Sequence, residues 1–484
     1  MGSHFPLEIL FQIAEFIEPC KRTPFTPYTL VCRRWQAAFE SLIYKRLNVC
    51  SDGFGVASGT LSLSQFQSMT SGAASRISRR YMVQSISYWV AVPYKLMDYR
   101  SIVPADGLEH YKEDNTVRNS NDEAFKNGMA DLFNTLASWS GDHQFSLSLR
   151  VMGCKKTLEP GTRDILSADE DGRIKDGDTV VQPYRARFPD GKCELRDVTC
   201  IRELIFSSGH WIWVGAAMHI ARCCTRLDGL FWDTYEFVKR DNLHYMQARR
   251  QAFADSLPHL PGTLKRLEYT NAAEGPYRAS RPSLASEGVD LLSLNLQWMS
   301  TRLEELRLSG VFVSPEFLWP LDEQAKPIRT HIEWPNLRVL VVKQGQRFIL
   351  SDTPEFELMY LAFGRREILN MRDIPSYKPS NKFSETGAEL CHRTMISMGC
   401  AVHHMPRLQT INYDFPVNIF ASFRLARDHE ACSFQAAWMF DDEGCKPDHR
   451  VASASGFSLR ALKTTLAPGF GTGLRMLYEV DYRM

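Results

Sequence analysis

The stretch Leu303-Glu304-Glu305-Leu306-Arg307-Leu308 places apolar residues at its first, fourth and sixth positions. Its second half alternates apolar and charged residues, which is typical of a β-strand with one buried face. The same six-residue pattern begins at five other places in the chain, namely Ile201, Leu227, Leu264, Leu337 and Leu408. Successive starts lie 26, 37, 39 and 34 residues apart, and the last interval of 71 is close to two units. The pattern therefore predicts a repeated strand.

Amphipathic helical patterns alternate with these strands. They cover residues 211–223, 246–257, 291–299 and 389–404, and a further helix over 125–137 precedes a strand over 145–149. A helix and a strand that alternate at a quasi-regular period predict a stacked α/β solenoid with parallel strands, because each unit buries its apolar face only against its neighbours. An ordinary α/β domain with leucine-rich strands is the alternative. Strand patterns over 419–425, 434–440 and 476–482 predict a β-rich cap after the last repeat.

The repeated unit resembles a leucine-rich-repeat array with elongated, irregular units. The asparagine or cysteine that usually follows the strand in that family is absent, since Tyr235 and Val311 occupy the equivalent places. In a solenoid the outward residues of the parallel strands line the concave face, which favours them as a partner-binding surface. They are equally well explained as the solvated side of each strand. The candidates are Arg202, Glu203, Asp228, Lys265, Arg266, Glu304, Glu305, Arg307, Arg338 and Gln409.

The first fifty residues have a different pattern. Pro6 suits the first turn of a helix, and Ile9, Ile13, Phe16 and Ile17 follow at helical spacing. A second helical pattern begins near Thr29 and carries an apolar face wider than one neighbour requires. A head of about fifty residues builds only a small core of its own, so the surplus apolar surface predicts a partner.

Residues 4–48 resemble the F-box family in three features. These are the proline-led apolar helix, the segment Val31-Cys32-Arg33-Arg34-Trp35, and the apolar residues Leu42, Tyr44 and Leu47 that follow it. Two departures stand out: Phe5 replaces the usual leucine, and the link over residues 20–27 is longer and more basic than usual. The resemblance implies a Skp-family adaptor as partner, together with the cullin ligase core. The residues that it assigns to the adaptor-binding head are Pro6, Leu7, Ile9, Ile13, Leu30, Val31, Cys32 and Trp35.

Composition and charge narrow the functional classes. Lys and Arg total 57 against 56 Asp and Glu, so the overall charge predicts neither a nucleic-acid nor a membrane partner. No apolar run is long enough to span a bilayer, and the amino terminus lacks the pattern of a secretory signal. The twelve cysteines are scattered, which favours reduced thiols and a cytoplasmic or nuclear location.

Several patterns that resemble sites of chemistry are better explained by structure alone. The glycine-rich run at 469–473 precedes a strand pattern rather than a helix, which favours a turn over a phosphate-binding loop. Four aspartates at 169–178 suggest a calcium-binding loop. However, Arg173 occupies the position at which an EF-hand requires an oxygen ligand, which favours a solvated acidic loop. The cysteines and histidines at 391–404 have irregular spacing for zinc and are explained by helix packing. We therefore expect no metal and no cofactor.

Taken together, these patterns predict a small all-α F-box-like head followed by an irregular leucine-rich-repeat-like solenoid. The predicted domains are a head over 1–50, a linker with the first strand over 51–121, the solenoid over 122–415 and the cap over 416–484. The predicted function is that of a non-catalytic substrate receptor of a Skp–cullin–F-box ubiquitin ligase, which binds an unknown target protein. A repeat scaffold outside any ligase is one alternative, and an α/β hydrolase or transferase with a deep polar pocket is another.

Overall fold

The structure is a computed structural model that describes residues 6–17, 26–53, 59–96, 101–103, 115–164, 179–189, 194–206, 212–234, 243–271, 290–311, 313–314, 317–328, 331–343, 385–414, 421–428, 433–440, 446–468 and 474–482. The chain divides into two compact units. The first comprises Met1–Leu96, Thr116–Thr157 and Arg185–Leu230, and the second comprises Met97–Asn115, Leu158–Tyr184 and Phe231–Met484.

The first unit begins with helices and continues as a parallel sheet. Its described helices are α1 (Leu7–Phe16), α2 (Arg33–Lys45), α3 (Leu63–Thr70), α4 (Ala74–Arg80), α5 (Thr116–Leu136) and α6 (Val214–Arg222), with a 3₁₀ helix over Thr26–Leu30. Its strands are β1 (Arg46–Cys50), β2 (Leu61–Ser62), β3 (Ser85–Lys95), β5 (Phe145–Lys156) and β8 (Ile201–Phe206). They are ordered β2-β1-β3-β5-β8, and every adjacent pair is parallel.

The core of the first unit lies on one face of this sheet. Alternate residues of β3, including Tyr88 and Val90, are fully buried, whereas the residues between them are mostly half-buried. Helix α5 packs on the buried face at Gly128, whose carbonyl accepts a 2.8 Å hydrogen bond from the Tyr88 hydroxyl. The absence of a side chain matters there, since a Cβ on Gly128 would lie 2.9 Å from Val90 Cγ1. A sheet with one covered face leaves its other face available to solvent or a partner.

The second unit alternates helices with parallel strands and then ends in antiparallel strands. Its helices are α7 (Leu243–Ser256), α8 (Leu291–Ser300), α9 (Glu385–Val402) and α10 (His449–Ser455). Its larger strands are β10 (Arg266–Asn271), β11 (Glu305–Ser309), β12 (Val339–Lys343), β13 (Thr410–Asp414), β14 (Ala421–Asp428), β15 (Ser433–Phe440), β16 (Lys463–Pro468) and β17 (Leu474–Tyr482). A separate small sheet combines β4 (Ser101–Val103), β6 (Arg163–Asp164) and β7 (Thr179–Val180). Strand β9 (Gly229–Thr234) contains the boundary between the units.

Strand pairing in the second unit aligns the apolar positions of successive repeats. Strands β10, β11, β12 and β13 are parallel neighbours, and their register places Leu267, Leu306, Leu340 and Ile411 side by side. All four side chains are at most 1% exposed. Beyond β13 the order continues β14-β15-β17-β16 with antiparallel pairing. The fourth residues of these six-residue patterns thus form one continuous buried row.

The fold class is mixed α/β, with an open main sheet of 14 strands in which parallel pairing predominates. The predicted parallel strands and the helices that alternate with them are confirmed at this level. The four predicted domains stay predictions, as do the F-box-like head and the assignment of the strands to a solenoid.

The six predicted strands are present, but five of them begin two residues later than the sequence pattern. Strand β11, for example, starts at Glu305 rather than at Leu303. The leading apolar residue is nevertheless buried in each case, since Leu227, Leu264, Leu303, Leu337 and Leu408 are at most 1% exposed. This residue packs in the turn that enters the strand, so burial rather than strand pairing explains why it is apolar.

Two sequence expectations for the first unit are wrong. The segment 51–121 is predicted to hold a linker and one strand, yet its first part already contains β2 and α3. Ser62 and Gln65 form a capping box at the start of α3, which satisfies two backbone donors that a helix leaves open. The second helix begins at Arg33 instead of near Thr29, because Thr26–Leu30 forms a 3₁₀ turn and Cys32 is extended. The glycine-rich run 469–473 and the acidic loop 169–178 lie outside the described residues.

Candidate partner-binding surfaces

Helices α1 and α2 pack together around a small core formed by Leu10, Ala14, Ala38 and Phe39. Five partly buried apolar side chains surround this core, namely Ile13, Ile17, Tyr28, Trp35 and Leu42. The inward stripe of α1 thus contains Leu10 and Ala14, which the sequence analysis did not single out. Its predicted stripe of Ile9, Ile13, Phe16 and Ile17 is divided between the core and the surface.

Three aromatic rings stack within this helical head. The Trp35 ring lies nearly parallel to Phe39 with centroids 5.3 Å apart, and Tyr28 lies 4.8 Å from Phe39 and 6.3 Å from Trp35. Aromatic pairs at these separations add about 0.5–1.5 kcal/mol beyond the area that they bury. Trp35 therefore contributes to the folding of the head, and only part of it remains accessible.

The head also exposes large apolar side chains outside its core. Ile9 and Phe11 of α1 are 38% and 36% exposed, and Phe16 at its end is 88% exposed. Leu30 at the end of the 3₁₀ helix is 82% exposed, and Val31, which follows it, is 62% exposed. Twelve large apolar side chains are exposed among the described residues, and five of them fall within this short segment. Such concentration is typical of an interaction surface rather than of random surface exposure.

The predicted adaptor-binding residues fall into two groups. Pro6, Ile9, Leu30, Val31 and Cys32 are exposed. Leu7, Ile13 and Trp35 are partly buried, and the last two pack against the core of the head. Sequence reasoning missed Phe11, although an apolar residue outside the helical stripe of α1 could have suggested it.

The head is joined to the sheet of the first unit without an intervening loop. Helix α2 ends at Lys45, and β1 begins at Arg46. Arg79 of α4 donates a 2.9 Å hydrogen bond to the Glu40 carboxylate, and its guanidinium lies 5.2 Å from the centre of the Tyr44 ring. Burial raises the pKa of the Tyr44 hydroxyl, which Arg79 opposes by its positive charge. The Arg79 side chain thus holds the end of α2 against α4 through two contacts.

The residues predicted to form the partner face are all at least partly exposed. Those at the second position of the repeat pattern are connected through their backbones. In the first unit the Asp228 amide donates to the Arg202 carbonyl over 2.8 Å. In the second unit the Glu304 amide donates to the Lys265 carbonyl over 2.8 Å, and the Arg338 amide donates to the Glu304 carbonyl over 2.7 Å. The Gln409 amide in turn donates to the Arg338 carbonyl over 2.8 Å. The predicted candidates are therefore brought together within each unit.

Their side chains, however, mostly neutralise one another. Arg202 pairs with Asp228 at 3.1 Å, Arg307 with Glu305 at 3.4 Å, and Lys265 with Glu304 at 3.8 Å. The remaining candidates have polar or aromatic partners: Arg338 donates to Gln409 at 3.2 Å, Glu203 accepts from Ser146 at 2.6 Å, and Arg266 lies over the Phe231 ring. Exposed pairs of this kind contribute little stability, and they leave little net charge for a partner.

A half-buried arginine on the sheet of the first unit differs from these pairs. Arg150 lies on β5 directly opposite Trp89 of β3. Its Nε atom is buried without a hydrogen-bond partner, and no described residue forms an ion pair with its guanidinium. The sequence analysis missed Arg150 because β3 and β5 do not follow the six-residue pattern.

The cysteines and histidines over 391–404 have structural environments. Cys391 is buried on α9, and burial raises the pKa of the Cys400 thiol to about 11, so this group carries a proton at neutral pH. His392 contacts the Lys446 carbonyl at 2.9 Å, and His404 stacks on Trp319 at 4.6 Å. Across the described ranges, no group of three His, Cys, Asp or Glu residues has the arrangement that a metal ion requires.

One open groove of about 520 Å³ lies in the second unit beside the carboxyl end of α8. Trp298, Ile332, His331 and Glu333 contribute to its walls. The Arg302 guanidinium lies 4.8 Å from the Trp298 ring, and desolvation lowers the pKa of Arg302.

In the part of the chain that is described, no helix has the length and apolar character to cross a membrane.

Comparison of the chain with protein-family models, with curated proteins and with solved structures finds no match.

Proposed function

We propose that this protein is the substrate-receptor subunit of a Skp–cullin–F-box ubiquitin ligase. In this proposal the N-terminal helices are an F-box-like head that binds a Skp-family adaptor. The repeated helices and strands form an irregular leucine-rich-repeat-like solenoid that binds a target protein. The chain acts in the cytoplasm or nucleus, requires no cofactor and supplies no catalytic side chain.

The observation that carries the proposal is the exposed apolar surface of the head. The core of the head consists of four buried side chains, so polar residues at its exposed positions would cost the head little folding stability. It instead exposes Phe16, Leu30 and Val31, each more than 60% accessible. Burying such side chains in a partner contributes about 25 cal/mol for each Å² of apolar surface, which favours a protein that covers them.

The environment of each head residue indicates which side chains would bind. Leu30 and Val31 sit at the junction of the 3₁₀ turn and α2, where neither contributes to the core. Ile9 and Phe16 extend the same apolar character along α1. Trp35 would act indirectly, because it holds Tyr28 and Phe39 in the stacked arrangement that supports the surface.

A receptor of this kind works by proximity. It holds the target near a charged ubiquitin-conjugating enzyme, so the geometry between its two binding surfaces determines the rate of transfer. The direct passage of α2 into β1, together with the contacts of Arg79 with Glu40 and Tyr44, suits that task. A flexible linker at this place would lower the effective concentration of the target.

The test is co-purification of the full chain with a Skp-family adaptor. The wild-type protein is expected to form a complex that survives size-exclusion chromatography. Leu30→Asp combined with Val31→Asp should abolish the complex, because both charges would be buried in the interface. Leu459→Asp is the matched control, since Leu459 is also exposed, at 41%, but lies in the second unit.

Thermal unfolding of each variant verifies that the head is folded. If the wild-type chain forms no complex with the adaptor, the ligase function is wrong and a repeat scaffold outside any ligase is the better explanation. If the double variant binds as well as the wild type, the adaptor surface has been assigned to the wrong residues.

A further inference from the structure

The open face of the first unit's sheet contains basic side chains that form no ion pair with any described residue. Residues 85, 87 and 89 of β3 and 146, 148 and 150 of β5 are half-buried, whereas most of those between them are fully buried. The strand register places Ser87 opposite Ser148, and Trp89 opposite Arg150. Further along the same strands, Lys95 lies opposite Lys156, and both are exposed.

We define the basic face as Arg150, Lys95 and Lys156, together with Trp89. No described residue forms an ion pair with any of its three cations. Two carboxylates on or beside neighbouring strands already accept hydrogen bonds from serine hydroxyls. Glu203 accepts from the Ser146 hydroxyl at 2.6 Å, and Asp52 accepts from the Ser64 hydroxyl at 2.6 Å.

Arg150 is the distinctive member of this face. A guanidinium normally satisfies its donors with water or protein acceptors, and a donor that is shielded without an acceptor is unfavourable. The Arg150 Nε atom is shielded in this way. A carboxylate placed over the adjoining Nη groups would form charge-assisted hydrogen bonds, for which the guanidinium geometry is suited. The neighbouring indole of Trp89 adds an apolar surface.

We propose that the basic face binds an acidic, extended segment of a protein. The distance along β5 from Arg150 to Lys156 is about 20 Å at roughly 3.3 Å per residue, so a segment of about six extended residues spans the three cations. The identity of that segment as part of the ligase target rests on the proposed function. The binding itself does not, because it involves neither the adaptor nor the head.

The arrangement favours a protein segment over nucleic acid. A nucleic-acid surface usually presents a continuous basic stripe that follows the phosphates. Here three cations are spread along two strands, and Glu203 lies on the same face nearer its other end. A peptide can match this spacing with separate carboxylates and can place an apolar side chain against Trp89.

The experiment measures binding of a fluorescein-labelled decaglutamate peptide to the full chain by fluorescence anisotropy, with decalysine as the opposite-charge probe. We expect decaglutamate to bind more tightly and to lose affinity as sodium chloride is raised. Arg150→Gln should weaken it roughly tenfold, as the loss of one charge-assisted contact implies. Lys126→Gln is the matched control, because Lys126 is similarly accessible but lies on α5, which packs against the opposite face.

Three results would overturn the proposal. The wild-type chain could bind both peptides equally, Arg150→Gln and Lys126→Gln could weaken binding to the same extent, or a (dT)10 oligonucleotide could displace the peptide more readily than unlabelled decaglutamate. Arg150→Lys provides a second variant, and its affinity should lie between those of the wild type and Arg150→Gln. If the peptide fails to bind but the adaptor complex is stable, only the proposed role of the basic face is refuted. If the peptide binds but no adaptor complex forms, only the ligase function is refuted.

Discussion

Leu306→Ala is expected to destabilise the second unit by about 3–5 kcal/mol, which tests the buried row that aligns its repeats. Leu306 is fully buried and lies between Leu267 and Leu340 in the strand register. The substitution removes three carbon atoms, which corresponds to about 2.4 kcal/mol of lost transfer free energy at about 0.8 kcal/mol each. The cavity adds to that loss, because neighbours held by strand pairing on both sides collapse only in part.

Urea unfolding followed by circular dichroism measures this effect as a shift of the transition midpoint at constant slope. The matched control is Arg307→Ala, since Arg307 is the next residue on the same strand but faces the half-exposed side. Its exposed ion pair with Glu305 implies a change of about 0–1 kcal/mol. A loss below about 1 kcal/mol for Leu306→Ala, or equal losses for the two variants, would refute the alternation of buried and open positions on which the repeat rests.

Three further predictions address other contacts. Gly310→Ala should destabilise the chain by about 1–3 kcal/mol in the same urea assay, because Gly310 has φ of 69° and a Cβ would strike a neighbouring carbonyl. A wild-type midpoint for this variant would contradict the close approach. Arg79→Ala should accelerate amide hydrogen exchange at the end of α2, since it removes the contact with Glu40; unchanged exchange would show that this contact does not hold the helix. In native protein at neutral pH, iodoacetamide should modify the exposed Cys32 and spare Cys200, because burial raises the pKa of the Cys200 thiol to about 12. Rapid modification of Cys200 would contradict its burial.

The sequence predicted the repeat because its apolar spacing is a direct consequence of alternating strands. It could not separate the first apolar residue of each pattern from the strand itself, since Leu303 is apolar for packing in a turn rather than for pairing. The helix α3 was missed although the capping pair Ser62 and Gln65 was present in the sequence. The surrounding segment is rich in Ser and Gly and poor in charge, which is a composition typical of a linker and conceals that local signal.

The binding surfaces were less predictable than the fold. Trp35 and Leu30 are both apolar residues beside the same turn, yet one stacks on Phe39 and the other is 82% exposed. Spacing alone cannot assign an apolar residue to its own core or to a partner. Likewise, two features depend on which strands become neighbours: the pairing of Arg202 with Asp228, and the burial of Arg150 Nε without a hydrogen bond to any described residue. That information exists only in three dimensions.

The most direct test of the ligase function is isothermal titration of the full chain with a Skp-family adaptor at several temperatures. Burial of Leu30, Val31 and the apolar residues of α1 predicts saturable binding with a negative heat-capacity change. Leu30→Asp with Val31→Asp should remove the binding heat, and Leu459→Asp should leave it intact. The absence of binding by the wild-type chain, or a heat-capacity change near zero that the double variant leaves unaltered, would contradict the account.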